Sequence, residues 1–99
     1  MAEDTYTPDF AWTGSAHLRS MEDYYSLYER SISEPDAFWG DLARTRLAWD
    51  REFHTVSDTD FATGTIAWFL GGALNVAYNC VDRHLATRGD KTAILWEGD

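Results

Sequence analysis

The sequence predicts an α+β domain that is mainly helical, with three amphipathic helices and a few short strands. Two long stretches, which follow Ser20 and Gly72, carry apolar residues at spacings of three and four, the period of one helix face. Two shorter runs, at 65–70 and 92–96, hold β-branched and aromatic residues without a charge, and such runs favour strands. With 99 residues, the chain has the size of one small domain.

The charge of the chain limits its partners. Seventeen acidic and eight basic residues give a formal charge of -9, and a field of this sign repels phosphate backbones. No apolar run approaches the roughly 20 residues that span a bilayer, and no secretory signal is recognisable. Cys80 is the single cysteine, so an internal disulfide is excluded. We therefore expect a cytoplasmic protein that binds neither nucleic acid nor membrane.

Residues 1–19 are expected to form an extended acidic arm, and residues 20–99 the domain itself. The aromatic residues of the arm, Tyr6, Phe10 and Trp12, follow neither the helical nor the strand period. This pattern favours a segment that lies across another surface. A disordered tail with chance aromatic residues is the alternative.

The first long helix is predicted to begin after Ser20, because Asp23 stands three residues later and the pair approximates a capping box. An aromatic stripe at helical spacing is more often core than binding face, so we expect its tyrosines to be buried. The residues at spacings of three and four are Met21, Tyr24, Tyr25, Leu27, Tyr28 and Ile32.

A second helix is predicted directly afterwards. Ser33 is expected to be its N-cap, with Pro35 in the first turn, where no amide partner is needed. Its buried face is expected to hold Phe38, Trp39 and Leu42, and residues 57–60 follow later as a turn cluster.

The centre of the chain combines an extended run at 65–70, a break at Gly71 and Gly72, and a third helix over 73–87 that Gly89 ends. Residues 92–96 then read as a buried strand. The domain would be incomplete at this strand, because a strand needs a neighbour with which to pair.

The third helix carries the side chains that could bind a metal ion or act as a nucleophile. Cys80 and His84 stand four apart and could supply two metal ligands, but a zinc site needs three or four. His17 and His54 would have to converge with them, so a buried thiol and a core histidine are favoured. The same burial disfavours Cys80 as a nucleophile. Gly71 and Gly72 are followed by neither Lys nor Ser or Thr, which makes them a weak phosphate site.

A polar ribbon runs down the same helix through Asn75, Asn79 and Asp82. It is either a ligand surface or a set of side chains that satisfy neighbouring backbone groups.

Five motifs in order resemble one family. They are LYERSI at 27–32, EPDAFW at 34–39, WFLGG at 68–72, LNVAYNCVDRH at 74–84 and AILWEGD at 93–99. Together they look like the amino-terminal segment of acetyl-coenzyme A synthetase, the AMP-forming acetate-CoA ligase, over about residues 24–99.

The resemblance implies an enzyme that makes acetyl-AMP from acetate and Mg-ATP and transfers the acetyl group to CoA. The family's phosphate loop, nucleotide contacts and catalytic Lys are expected beyond position 99, so ATP, Mg and CoA would serve the complete enzyme. Within this chain no catalytic, cofactor-binding or metal-binding residue is assigned, and the chain alone is expected to be inactive.

The resemblance further implies a structural role, in which the chain packs on a larger adenylating domain, its expected partner. It also favours the structural interpretation of the polar ribbon, with Asp82 and Arg83 paired with elements that the chain lacks or with the amino-terminal arm. Because an apolar patch around Trp68, Phe69 and residues 94–96 would be exposed, the isolated chain is expected to self-associate. A stand-alone protein-interaction or regulatory module derived from this domain is the alternative. The residues expected at the packing interface are Trp39, Trp68, Phe69, Asn75, Asn79, Asp82, Arg83, His84, Ile94 and Trp96.

Overall fold

The computed structural model describes residues 6–99 and confirms a mixed α+β fold. Contacts group these residues into two compact units, 6–38 and 39–99. The predicted boundary after residue 19 stays a prediction, and the part of the predicted arm at 1–5 lies outside the described residues. The elements are α1 (Phe10–Thr13), α2 (Met21–Ser33), α3 (Pro35–Arg46), β1 (Thr55–Asp60), β2 (Thr65–Leu70), α4 (Val76–Cys80), a 3₁₀ turn (Asp82–His84) and α5 (Leu85–Arg88).

The arm is not extended throughout its described part, because α1 forms one helical turn within it. Asp9 caps this turn, since its carboxylate accepts a hydrogen bond from the Ala11 amide at 3.0 Å. The rings of Phe10 and Trp12 remain 85% and 77% exposed. The aromatic residues of the arm therefore have no covering surface among the described residues.

Helix α2 begins where the capping pattern predicts. The Ser20 hydroxyl accepts from the Asp23 amide at 3.1 Å, and the Asp23 carboxylate accepts in return from the Arg19 amide at 3.0 Å. The expected burial of its aromatic stripe is wrong, because no residue of α2 is buried. The period predicts an apolar face, but it does not say which surface covers that face.

Helix α3 follows without a loop. Glu34 ends α2 and opens α3, because its amide donates to the Arg30 carbonyl and its own carbonyl accepts from the Phe38 amide, both at 2.9 Å. Ser33 is the last residue of α2, so its predicted N-cap role is wrong. Pro35 occupies the first position of α3, as predicted.

The buried face of α3 also differs from the prediction. Its buried residues are Gly40 and Ala43, whereas Trp39 is 43% exposed and Phe38 and Leu42 are half-buried. The small residues are buried because the following chain approaches the helix closely. A Cβ on Gly40 would lie 3.0 Å from a methyl carbon of Val56.

Strands β1 and β2 form an antiparallel hairpin in which Asp60 lies opposite Thr65. The predicted turn at 57–60 is wrong, because these residues belong to β1. The turn falls four residues later, where the Asp60 carboxylate accepts from the Ala62 amide at 2.9 Å and Gly64 adopts φ +73°. β1 carries the carboxylates of Asp58 and Asp60, while β2 carries no charge.

The core of the second unit is a cluster of three aromatic rings, Trp49, Phe53 and Phe69. Their centroids lie 5.0 to 5.8 Å apart in tilted and edge-on arrangements. Phe53 is 4% exposed, and the Arg44 guanidinium lies 4.7 Å from its ring centroid. The Trp49 indole donates to the Ala43 carbonyl at 2.9 Å, which ties the cluster to α3.

A tight turn ends β2. Phe69 has φ +53°, a region that costs a bulky side chain about 1–2 kcal/mol. The Gly72 amide donates to the Phe69 carbonyl at 3.0 Å and closes the turn. The strained backbone thus directs the Phe69 ring into the aromatic cluster, and ring packing offsets the cost.

The third helix is not continuous over 73–87 as predicted. It breaks at Val81, which has φ -126° and ψ -67°, so that α4, the 3₁₀ turn and α5 form separate short pieces. Asn75 caps α4 by accepting from the Tyr78 amide at 3.0 Å. Gly89 has φ -56°, so it is not the left-handed terminal glycine that the sequence predicts.

Asn79 joins α4 to the segment after α3. Its amide oxygen accepts from the Ala48 amide at 2.8 Å, and its amide nitrogen donates to the Ala48 carbonyl at 2.9 Å and to the Asn75 carbonyl at 3.0 Å. Arg83 donates to the same Asn79 oxygen at 3.0 Å and to the Arg46 carbonyl at 2.9 Å. The structural interpretation of Asn75 and Asn79 as backbone-satisfying residues is confirmed.

The predicted strand at 92–96 is absent from the described residues. Ile94, Leu95 and Trp96 are 83% to 93% exposed and irregular. A β-prone run forms a strand only when a neighbouring strand completes its hydrogen bonds. No strand of the described chain lies beside it.

Replacing Asn79 with alanine should lower the free energy of unfolding by about 2–4 kcal/mol, because both backbone groups of Ala48 lose their partner. Urea unfolding followed by circular dichroism measures the loss. Asn75→Asp is the matched control, since aspartate caps a helix as well as asparagine. Equal midpoints for the two variants would contradict this role of Asn79.

Replacing Gly72 with alanine should cost about 1–3 kcal/mol through overpacking. The new methyl would lie 2.6 Å from the Trp49 ring and 3.2 Å from the Phe53 Cβ. The comparison variant is Gly64→Ala, which meets no atom within 4 Å and bears only the strain of φ +73°. Near-ultraviolet circular dichroism should change for the Gly72 variant alone. A smaller loss of stability at Gly72 than at Gly64 would refute the overpacking.

Candidate interaction surface

An apolar cavity of about 330 Å³ opens on the second unit and is lined by Trp39, Trp68 and Phe69. Helix α3 supplies Trp39 and strand β2 supplies the other two. The Trp68 and Phe69 ring centroids lie 5.9 Å apart, and Trp39 and Trp68 are 43% and 46% exposed. Three residues of the predicted interface are therefore brought together on one exposed surface, which we call the tryptophan cavity.

The turn at Phe69 creates this arrangement. In the regular part of the hairpin Trp68 lies opposite Ser57. The left-handed backbone at Phe69 then lets consecutive aromatic residues contribute to one cavity, although alternation along a strand would place them on opposite faces. Phe69 contacts the buried cluster as well as the cavity, so the wall of the cavity is anchored in the core.

The first unit presents a second apolar surface, a groove of about 480 Å³ along α2. We call it the tyrosine groove. The sequence analysis did not predict this surface, because it assigned the apolar stripe of α2 to a core. The sequence signal that could have revealed the surface is that no other apolar element of comparable size precedes residue 38. The tyrosine groove is lined by Tyr25, Tyr28, Glu29, Ile32 and Ser33.

The polar residues of the predicted interface divide into two groups. Asn79 is buried, and Asn75 and Arg83 hydrogen-bond within the chain. Arg83 thus has partners within its own unit, and its expected pairing with elements that the chain lacks stays a prediction. The Asp82 carboxylate is exposed and has no hydrogen-bond or ion-pair partner among residues 6–99.

Cys80 and His84 line a third groove, of about 440 Å³. The expected burial of Cys80 is wrong, because the thiol, on the last residue of α4, is exposed. His84 is half-buried, and the Arg83 guanidinium approaches its ring nitrogen at 3.5 Å. Within residues 6–99 no three His, Cys, Asp or Glu side chains come close enough to hold a metal ion.

The remaining predicted interface residues, Ile94 and Trp96, lie in the exposed segment after α5. Neither lines the tryptophan cavity or the tyrosine groove. Among the described helices, none has both the length and the apolar character required to cross a membrane.

Comparison with known proteins gives one consistent result. Residues 24–80 match the family described as acetyl-coenzyme A synthetase N-terminus. The chain is 55% identical over 84 residues to the acetyl-coenzyme A synthetase of Halorhodospira halophila, covering 85% of this chain and 13% of that protein. For the synthetase of Magnetococcus marinus the values are 54% over 82 residues, 83% and 13%. For that of Beijerinckia indica they are 48% over 101 residues, 100% and 15%. The chain thus spans 13% to 15% of the length of these relatives.

The tryptophan cavity should bind a dye that fluoresces in apolar surroundings, because its rings are open to solvent. Replacing Trp39 and Trp68 together with glutamine should lower dye fluorescence by roughly half or more. Phe61→Gln is the control, since Phe61 is 87% exposed at the hairpin turn and lies outside the cavity. Equal fluorescence in both variants would show that the dye binds elsewhere.

Proposed function

Because the chain belongs to the acetyl-coenzyme A synthetase N-terminus family, we propose that it acts as the non-catalytic, amino-terminal structural domain of such a synthetase. The complete enzyme would activate acetate with ATP to acetyl-AMP and transfer the acetyl group to CoA. The proposed partner is the adenylating domain, and the proposed location is the cytoplasm. The chain would stabilise that domain by packing on it.

The observation that carries this proposal is the tryptophan cavity. The second unit already has a packed aromatic cluster of its own, yet Trp39 and Trp68 remain almost half exposed beside it. Soluble monomers rarely leave contiguous aromatic side chains open, and such patches commonly mark protein interfaces. Because the Phe69 wall is anchored in the core, this part of the cavity is preorganised, and little side-chain entropy of Phe69 would be lost on docking.

The segment at 92–96 supports the same proposal. It has the composition of a buried strand, but its three large apolar side chains are solvent-exposed. Pairing with a strand of the adenylating domain would satisfy its backbone and cover these side chains. A segment that forms a strand only on docking is expected to combine an apolar, β-prone composition with solvent exposure before it docks.

The turn after β2 is proposed to be structural and not a phosphate site. The Gly72 amide is occupied by the Phe69 carbonyl, and the Gly71 carbonyl accepts from the Arg51 guanidinium at 2.6 Å. Amides that bind phosphate must instead point outwards together. In the proposed assembly ATP, Mg and CoA are therefore held by the adenylating part of the enzyme.

The decisive experiment mixes this chain with a synthetase that lacks the segment matching it. We expect thioester formation from acetate, ATP and CoA to rise on mixing, because the added chain covers apolar surface of the truncated enzyme. The chain alone should show no activity. Trp68→Asp should restore less activity than the wild-type chain, because docking would bury its carboxylate.

The control is Phe61→Gln, which leaves the tryptophan cavity unchanged and should restore activity like the wild-type chain. A stable complex without any gain of activity would favour a protein-interaction or regulatory module. Absence of a complex would refute the proposed structural role.

A further inference from the structure

The two tyrosines that line the tyrosine groove both contact a third ring, that of Tyr24. Tyr24 stacks on Tyr28 with centroids 6.1 Å apart, and it meets Tyr25 edge-on at 5.6 Å. These contacts join the three rings along one side of α2. Tyr25 and Tyr28 are nevertheless 59% and 54% exposed. Their rings are therefore in contact with Tyr24 and open to a ligand.

A carboxylate lies within this groove. Glu29 lines it together with Tyr25 and Tyr28, and Glu22 stands seven residues earlier on nearly the same helix face. Neither carboxylate forms an ion pair or accepts a hydrogen bond among residues 6–99. The groove thus combines exposed aromatic faces with a carboxylate that forms no ion pair among residues 6–99.

Arg30, the cationic residue of α2, contacts residues that do not line the tyrosine groove. The Arg30 guanidinium lies 3.8 Å from the Glu34 carboxylate and 5.9 Å from the Phe38 ring centroid. Residues 6–38 contain six acidic side chains and two arginines, so the electrostatic field over this unit is negative. A cationic group from outside would gain from both the field and the rings.

We infer that the tyrosine groove receives an arginine side chain from the adenylating domain. An arginine fits this chemistry because its planar guanidinium can stack on a tyrosine ring and pair with the Glu29 carboxylate at once. A lysine would supply a point charge without the stacking surface. A second copy of this chain is disfavoured as the occupant, because its α2 carries carboxylates on the same face and would be repelled.

The identity of the partner rests on the proposed function, but the preference for arginine is tested on the chain alone. The probe is a short blocked peptide, leucine-arginine-leucine, and its control replaces arginine with citrulline, which has nearly the same shape and no charge. Nuclear magnetic resonance should show shifts of the Tyr25, Tyr28 and Glu29 signals with the arginine peptide. Citrulline or Glu29→Gln should weaken binding by about tenfold.

The second measurement is the affinity of the chain for the truncated synthetase at about 0.05 M and about 0.5 M salt. Glu29→Lys should weaken the complex by about a hundredfold at low salt, and by less at high salt. Asp50→Lys makes the same charge change at an exposed position of the other unit and should leave affinity within about threefold. Tyr28→Phe should bind like the wild type, while Tyr28→Leu loses the stacking surface and should bind about fivefold more weakly.

The outcomes separate the two proposals. Equal shifts with the arginine and citrulline peptides, or no shifts in the groove, would overturn the arginine preference. A complex that tolerates Glu29→Lys as well as Asp50→Lys would overturn the role of the groove and leave the structural function standing. Failure of the wild-type chain to bind the truncated synthetase would overturn the proposed function and the assigned partner, while the peptide titration still decides the preference of the groove.

Discussion

The hydrogen bonds of the Asn79 side chain are the constraint on which the second unit depends. The chain buries few apolar residues, so packing alone cannot fix the position of a helix as short as α4. Asn79 replaces missing apolar contacts with directional ones, because it pairs with both backbone groups of Ala48. Arg83 extends the connection to the carbonyl end of α3 through Arg46. A small polar network therefore positions α4 against the segment after α3. In a larger domain, the packing of apolar side chains would do this.

Next to this network the aromatic cluster performs a different task. Trp49, Phe53 and Phe69 close the inside of the unit, and Phe69 also forms part of the tryptophan cavity on the outside. The same ring thus belongs to the core and to the proposed interface. This sharing explains why a strained backbone at Phe69 is retained, since a relaxed strand would direct the ring to only one of the two surfaces.

Some local signals in the sequence predicted local structure, whereas others, namely Ser33 as an N-cap, the turn at 57–60 and Gly89 as a left-handed terminal glycine, were wrong. The Ser20 and Asp23 pair located the start of α2, the uncharged run from Thr65 located β2, and the glycine pair located the turn after it. Further errors arose where the outcome depends on distant residues. The period along α2 predicted an apolar face but not its exposure, and the composition of 92–96 predicted a strand without the neighbour that a strand requires. The candidate surfaces were only partly predictable for the same reason: Trp39, Trp68 and Phe69 were singled out individually, while the cavity that joins them depends on the backbone at Phe69.

The hairpin has one further consequence, which concerns the behaviour of the protein in a crowded solution. Its first strand carries Asp58 and Asp60, and carboxylates on an edge repel a second chain that approaches with its backbone. The second strand, Thr65–Leu70, has neither a charge nor a proline, so its open edge can act as a template for amyloid-like addition of strands. Charge therefore protects only the β1 edge of the hairpin, and covering β2 would remove the edge at which strand addition is favoured.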